Sequence, residues 1–171
     1  MNIHRDVIDA IDFVKQTYKI YSEEEPIEVF NRGNCGNLYS LLKMQFGDEV
    51  KPFGVYEYNQ LIHVVSKIGE KYYDITGETT LEQYFRYLME VKMRESVHFS
   101  SDIESYCIKE VTEEQVKEKS NNYKAKVSMK NFDKSTAVRT PSPEDSVMEK
   151  IEEIMKIRAK TVKQLAEDWD R

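Results

Sequence analysis

Whatever this chain folds into must accommodate a strand-rich run, PFGVYEYNQLIHVVSKIGEKYYDITGE, at residues 52–78. β-Branched and aromatic residues broken by turn-forming pairs read as two or three antiparallel strands. Gly69-Glu70 is a candidate two-residue hairpin loop with glycine first, closed by Ile68 opposite Lys71. That closure sets the register. Val65 then faces Asp74, and His63 faces Thr76. His63 and Asp74 fall on one sheet face as diagonal neighbours, within reach of each other. Ile62, Val64, Tyr73 and Ile75 are expected together on the other face. A slip of one residue would separate the histidine from the aspartate.

Helices are expected on both sides of this run. Val7, Ile8, Ile11, Val14 and Tyr18 recur at helical spacing over residues 4–20. Asn31–Gly36 reads as a polar loop, followed by a helix from Cys35 or Gly36 to Phe46 that Gly47 would stop. Cys35, Leu38 and Leu42 share one face of it. Thr80 and Gln83 form a capping box opening a helix to about Arg94, with Leu81, Tyr84, Phe85, Leu88 and Val91 inward. SYCIKEV around Cys107 reads as a further strand, and TEEQVKEKS as a short helix. Ser142-Pro143 signals the start of a long last helix to Trp169, with Val147, Ile151, Ile154, Val162, Leu165 and Trp169 along one side. The organisation expected is an α+β domain over residues 1–120, a linker or loose loop over 121–141, and a C-terminal helix over 142–171.

The net charge of −6 and pI near 5.2 argue against a general nucleic-acid-binding surface. No apolar run reaches the length that spans a bilayer, and the N-terminus lacks the apolar region of a signal peptide. A cytoplasmic, reducing location is the expectation, with no nucleic-acid or membrane partner, and Cys35 and Cys107 as free thiols. No cysteine–histidine spacing suggests a metal, and no cofactor is implied. His4 is expected ahead of the first helix and exposed, His98 in a loop or at a strand edge.

One stretch asks for a chemical reading: NRGNCGNLYSLL, residues 31–42, sets a cysteine between glycines at a helix start. Unpaired backbone N–H groups and the helix dipole favour negative charge there, which lowers a thiol's pKa and can hold an oxyanion. Gly33 and Gly36 leave room for a substrate backbone. A nucleophilic thiol needs a base, and the base an orienting partner. The register offers His63 and Asp74 for those roles. Cys107, in an apolar strand without a histidine placed to serve it, reads as structural.

RGNCGNLYSLL followed by LIHVVSKIGEKYYDITGE is similar to the core of the transglutaminase-like and papain-like cysteine enzymes. Arg32-Gly33 and Asp74-Ile75-Thr76-Gly77 are a loose echo of segments in the arylamine N-acetyltransferases. The resemblance covers about residues 30–80, with spacings of 28 and 11 residues that are short for the larger members. It implies a cysteine-bearing helix packed on an antiparallel sheet. It also implies Cys35 as nucleophile, His63 as general base and acid, and Asp74 as the orienting acid. The activity implied is acyl transfer through a thioester on an amide or isopeptide bond of a protein or peptide-like substrate: a peptidase, amidase, deamidase or transamidase. The Cys35 amide with Asn34 or Asn31, beside Gly36, is the candidate oxyanion and substrate region.

Two rival readings accompany this one. In the first, the protein is a non-catalytic adaptor or inhibitor on a degenerate papain-like scaffold. Its last helix would then serve a partner or a homodimer. In the second, Tyr56, Tyr58, Tyr72 and Tyr73 line a small-ligand pocket.

Overall fold

The computed structural model describes residues 2–130, 132–133, 138–139 and 143–169, with side chains for 2–121, 146–161, 163–165 and 167. The chain folds as α+β, with helices packed against an antiparallel five-stranded sheet and a long C-terminal helix. Strands β1 (Val50–Glu57), β2 (Gln60–Ile68), β3 (Lys71–Asp74), β4 (Gly77–Thr79) and β5 (Tyr106–Glu110) lie in the order β4-β3-β2-β1-β5.

The hairpin closes as its residues dictate. Gly69 takes φ 60°, Ile68 pairs with Lys71, and Ser66 with Tyr73. Continued by one step, this register sets Val65 opposite Asp74. One expectation fails. Ile62 packs with Val55, Val65 and Tyr84, whereas Val64, Tyr73 and Ile75 enter the other core cluster. The cause is a bulge: Val55 pairs with His63 but Tyr56 with Leu61, so Ile62 is the extra residue and alternation resets there.

Helix α1 (Ile3–Tyr21) buries Val7, Ala10, Ile11, Val14, Thr17 and Tyr18, a stripe at three- and four-residue steps. His4 sits in its first turn, half-buried, with Nδ1 2.5 Å from the Tyr73 hydroxyl, rather than ahead of the helix and exposed. After the short α2 (Pro26–Val29), residues Phe30–Asn34 form an irregular, π-type helical turn where a loop was expected. Helix α3 (Cys35–Phe46) then buries Cys35, Leu38, Leu41 and Leu42 and ends at Gly47, whose φ of 63° a side chain would resist. It packs on β1, β2 and β3. Helix α4 (Leu81–Glu95) starts on the expected box: Thr80 N–H donates to Gln83 Oε1 (2.9 Å), and Gln83 N–H to Thr80 Oγ1 (3.2 Å).

The C-terminal half departs further from expectation. Helix α5 (Glu113–Lys130) is much longer than a short helix and takes in the first part of the expected linker. Its Lys, Glu and Gln residues are good helix formers even without an apolar stripe. Two short paired strands, β6 (Phe132–Asp133) and β7 (Val138–Arg139), follow; the rest of that linker, with the Ser142 cap, lies outside the described residues. Helix α6 (Pro143–Trp169) packs on α1 and α3, burying Val147, Ile151 and Met155. Leu165, expected on that inner stripe, is 62% exposed. The side chains of Val162 and Trp169 lie outside the described residues.

Candidate active site

The structure brings Cys35, His63 and Asp74 together from three elements. Cys35 opens α3, His63 lies just past the bulge of β2, and Asp74 ends β3. Asp74 pairs with Gly77 of β4 through its backbone, and its side chain reaches the histidine. Nε2 of His63 stands 3.4 Å from Oδ2 of Asp74. The other carboxylate oxygen is held by its own turn: Oδ1 accepts from the Thr76 N–H at 2.7 Å and the Thr76 hydroxyl at 2.5 Å. With Nε2 turned to Asp74, Nδ1 is the nitrogen left for the thiol.

Burial is deep. Cys35 is 3% exposed, His63 1% and Asp74 2%. Burial alone would raise the Cys35 thiol pKa. The hydrogen bond and charge of His63, then the Lys119 ammonium and the Val64 amide, more than offset this and hold it below its ordinary value. Burial would likewise lower the imidazole, but Asp74 on one side and Cys35 on the other push it up to about 9. Both shifts favour a thiolate–imidazolium pair.

His63 is positioned by a contact that the sequence reading missed. The Tyr84 ring of α4 stacks on it, centroids 4.3 Å apart and planes 5° from parallel. A face-to-face aromatic fixes the imidazole plane and favours its cationic form. The stack and the Asp74 carboxylate together set the ring's plane. Tyr84 was legible only as one more inward residue of a helix. Thr76 was more accessible, since an aspartate two residues ahead of a threonine is an Asx-turn signal.

The substrate side differs from expectation at Gly36. It faces no open slot: a Cβ there would collide with the Ser120 hydroxyl of α5 and lie 3.0 Å from Val116. Asn34 and Asn31 are both buried. Asn34 Oδ1 accepts from Asn37 Nδ2 at 2.8 Å, but its Nδ2 has no partner among the described residues, nor does either polar atom of Asn31. Buried, unsatisfied amides are rare and call for an explanation. Arg32 is a structural tie: its guanidinium pairs with Glu28 at 2.8 Å and with Glu95 at the end of α4.

The other candidates separate. Cys107 is exposed rather than structural, because β5 is an edge strand that turns Tyr106 inward and its neighbour out. The four tyrosines do not line one pocket. Tyr56 and Tyr73 enter one core cluster, Tyr72 packs on the other, and Tyr58 is 68% exposed. No described helix is long and apolar enough to cross a membrane.

Fold and site together define an α+β protein whose cysteine-headed helix meets a histidine and an aspartate from adjacent strands of an antiparallel sheet. A family model described as Phage YunG-like protein matches residues 12–125, more than half of the chain, and the chain belongs to that family. No curated protein and no solved structure matches it.

Proposed function

We propose that the protein is a cysteine-dependent acyl-transfer enzyme acting on an amide or isopeptide bond of a protein or peptide-like substrate. The observation that carries this reading is the buried line of Cys35, His63 and Asp74. The raised imidazole and lowered thiol are consistent with it. It is also the arrangement that a likeness to transglutaminase-like and papain-like enzymes implies.

The Cys35 thiolate attacks the carbonyl carbon and forms the S–C bond. The Cys35 amide, with Asn31 or Asn34 Nδ2, holds the oxyanion; a substrate oxygen would give those amides the partner they lack. Protonated His63 gives its proton to the leaving nitrogen as the C–N bond breaks. Water or a second amine then attacks the thioester, yielding its proton to His63 and returning the thiolate. Asp74, steadied by Thr76, orients the ring and stabilises its charge. The 3.4 Å spacing at Asp74 suits a resting site, since catalytic hydrogen bonds tighten on substrate binding. The two thiols fit a reducing, cytoplasmic location.

A thiol-directed probe followed by peptide mapping tests this. Labelling at Cys35 is expected to persist below neutral pH in the parent and to be lost there in His63→Ala, and Cys35→Ala is expected to remove turnover while leaving the fold intact. A Cys35→Ala protein with parental turnover would end the proposal.

One observation favours the non-catalytic reading: the thiol is closed off in the resting state. In that reading the scaffold binds a partner and Cys35 is inert. The C-terminal helix is then a limited arm, because Val147, Ile151 and Met155 are already committed to this chain's own core. A Cys35 whose labelling does not depend on His63, combined with tight partner binding, would support it.

A further inference from the structure

We propose that helix α5 occupies the berth of the substrate backbone beside Cys35 and must lift for the thiol to react. This inference rests on the acyl-transfer reading and adds its gate.

Three observations place α5 on the berth. Gly36, next to the nucleophile, is roofed by Ser120 and Val116, which fill the space a glycine leaves open. One residue before Ser120, the Lys119 ammonium donates to the Leu61 carbonyl at 3.2 Å, two residues before His63. The helix also packs on the Phe30–Asn34 turn that carries the unpartnered Asn31 and Asn34 amides. It therefore bridges the cysteine helix, the histidine strand and the candidate oxyanion donors.

The described first half of the helix is lightly held. Among its described side chains, Val116 is the buried one. Its other described ties to α3 are polar: Glu113 pairs with Lys43 at 2.6 Å at the surface and accepts from the part-buried Tyr39 hydroxyl at 3.1 Å. A half-open surface pocket of about 280 Å³, lined by Tyr39, Lys43, Met44, Glu113 and Val116, lies between the two helices at that end. Few apolar contacts, as along the described part of α5, are a mark of an element that opens locally. The start of α5 is firm: Thr112 and Gln115 cap it reciprocally at 2.8 and 3.1 Å, which suits a hinge at that end.

The test is native-state labelling of Cys35 by iodoacetamide across low urea, read by peptide mass, in the full chain. Local opening predicts a rate far below that of a free thiol and flat in urea until global unfolding takes over. Val116→Ala is expected to raise the flat rate about ten-fold. Val116→Thr, which keeps the volume, is expected to raise it several-fold and serves if the alanine variant folds poorly. Ile151→Ala, on the firmly seated α6, is expected to lower global stability more and leave the flat rate unchanged. A parental rate equal to a free thiol's would overturn the proposal. So would a rate that follows global unfolding at every urea concentration, or Val116 variants that label like the parent. Failure of the enzyme reading looks different: the flat, Val116-sensitive rate persists, but Cys35 shows an ordinary thiol's pH dependence.

Discussion

Helices α5 and α6 are both long, charged and late in the chain, yet the fold uses them in opposite ways. Helix α6 lies beyond the stretch that matches the family, and still seats Val147, Ile151 and Met155 in the main core. Cation–π contacts add to the seat, Lys150 over Tyr21 at 4.8 Å and Arg158 over Phe13 at 4.5 Å. Helix α5 begins inside the family-matched stretch and lies next to the candidate site, but offers Val116 and a few polar hooks. An apolar stripe of three buried residues makes a buttress. A single buried valine among the described residues makes a cover.

The contrast is open to attack at several scales. Ile151→Ala carries the largest expected effect on the fold, a loss of about 2–5 kcal/mol in urea unfolding, because it empties a fully buried site. A loss near zero would mean α6 is not a buttress. Tyr84→Leu is expected to shift the pH profile of Cys35 labelling, because the imidazolium loses the ring that faces it; Tyr84→Phe keeps the stack and the parental profile. Equal profiles in all three proteins would remove Tyr84 from the site. Smaller still is the pH dependence of stability. A raised histidine pKa stabilises fully below its ordinary 6.5, and the contribution is lost as pH rises through about 9. The parent is therefore expected to exceed His63→Gln in urea midpoint at pH 6, with the gap narrowing by pH 10. A gap that widens with pH would contradict the charged ring. Smallest is Lys43→Met, which removes a surface tie to Glu113 and is expected to leave the urea midpoint almost unchanged.

Much of the sheet was legible because glycine chemistry fixes it. Gly69 set the hairpin loop, the loop set the register, and the register brought His63 to Asp74. The bulge at Ile62 was not legible, since nothing local in LIHVV distinguishes an extra residue from alternation. The start of α3 at Cys35 followed from its glycines and the leucine spacing. The occupant above Gly36 did not, because a glycine reports that space is needed without saying whose atoms fill it. Tyr84 was hidden for a related reason: helical periodicity says that a ring points inward, not that an imidazole lies beneath it. The length of α5 was missed because the Lys, Asn and Ser residues of 121–130 resemble a linker once an apolar stripe is absent.

The nucleophile assignment stands or falls on the pH profile of Cys35 alkylation in the parent and in His63→Ala. The ion pair between a lowered thiol and a raised imidazole predicts labelling in the parent that persists well below the ordinary thiol value of 9.0, and in the variant a profile shifted up to that range or beyond. Superimposable profiles with an ordinary thiol midpoint would show that the sulfur and the ring, though adjacent, do not act as a pair.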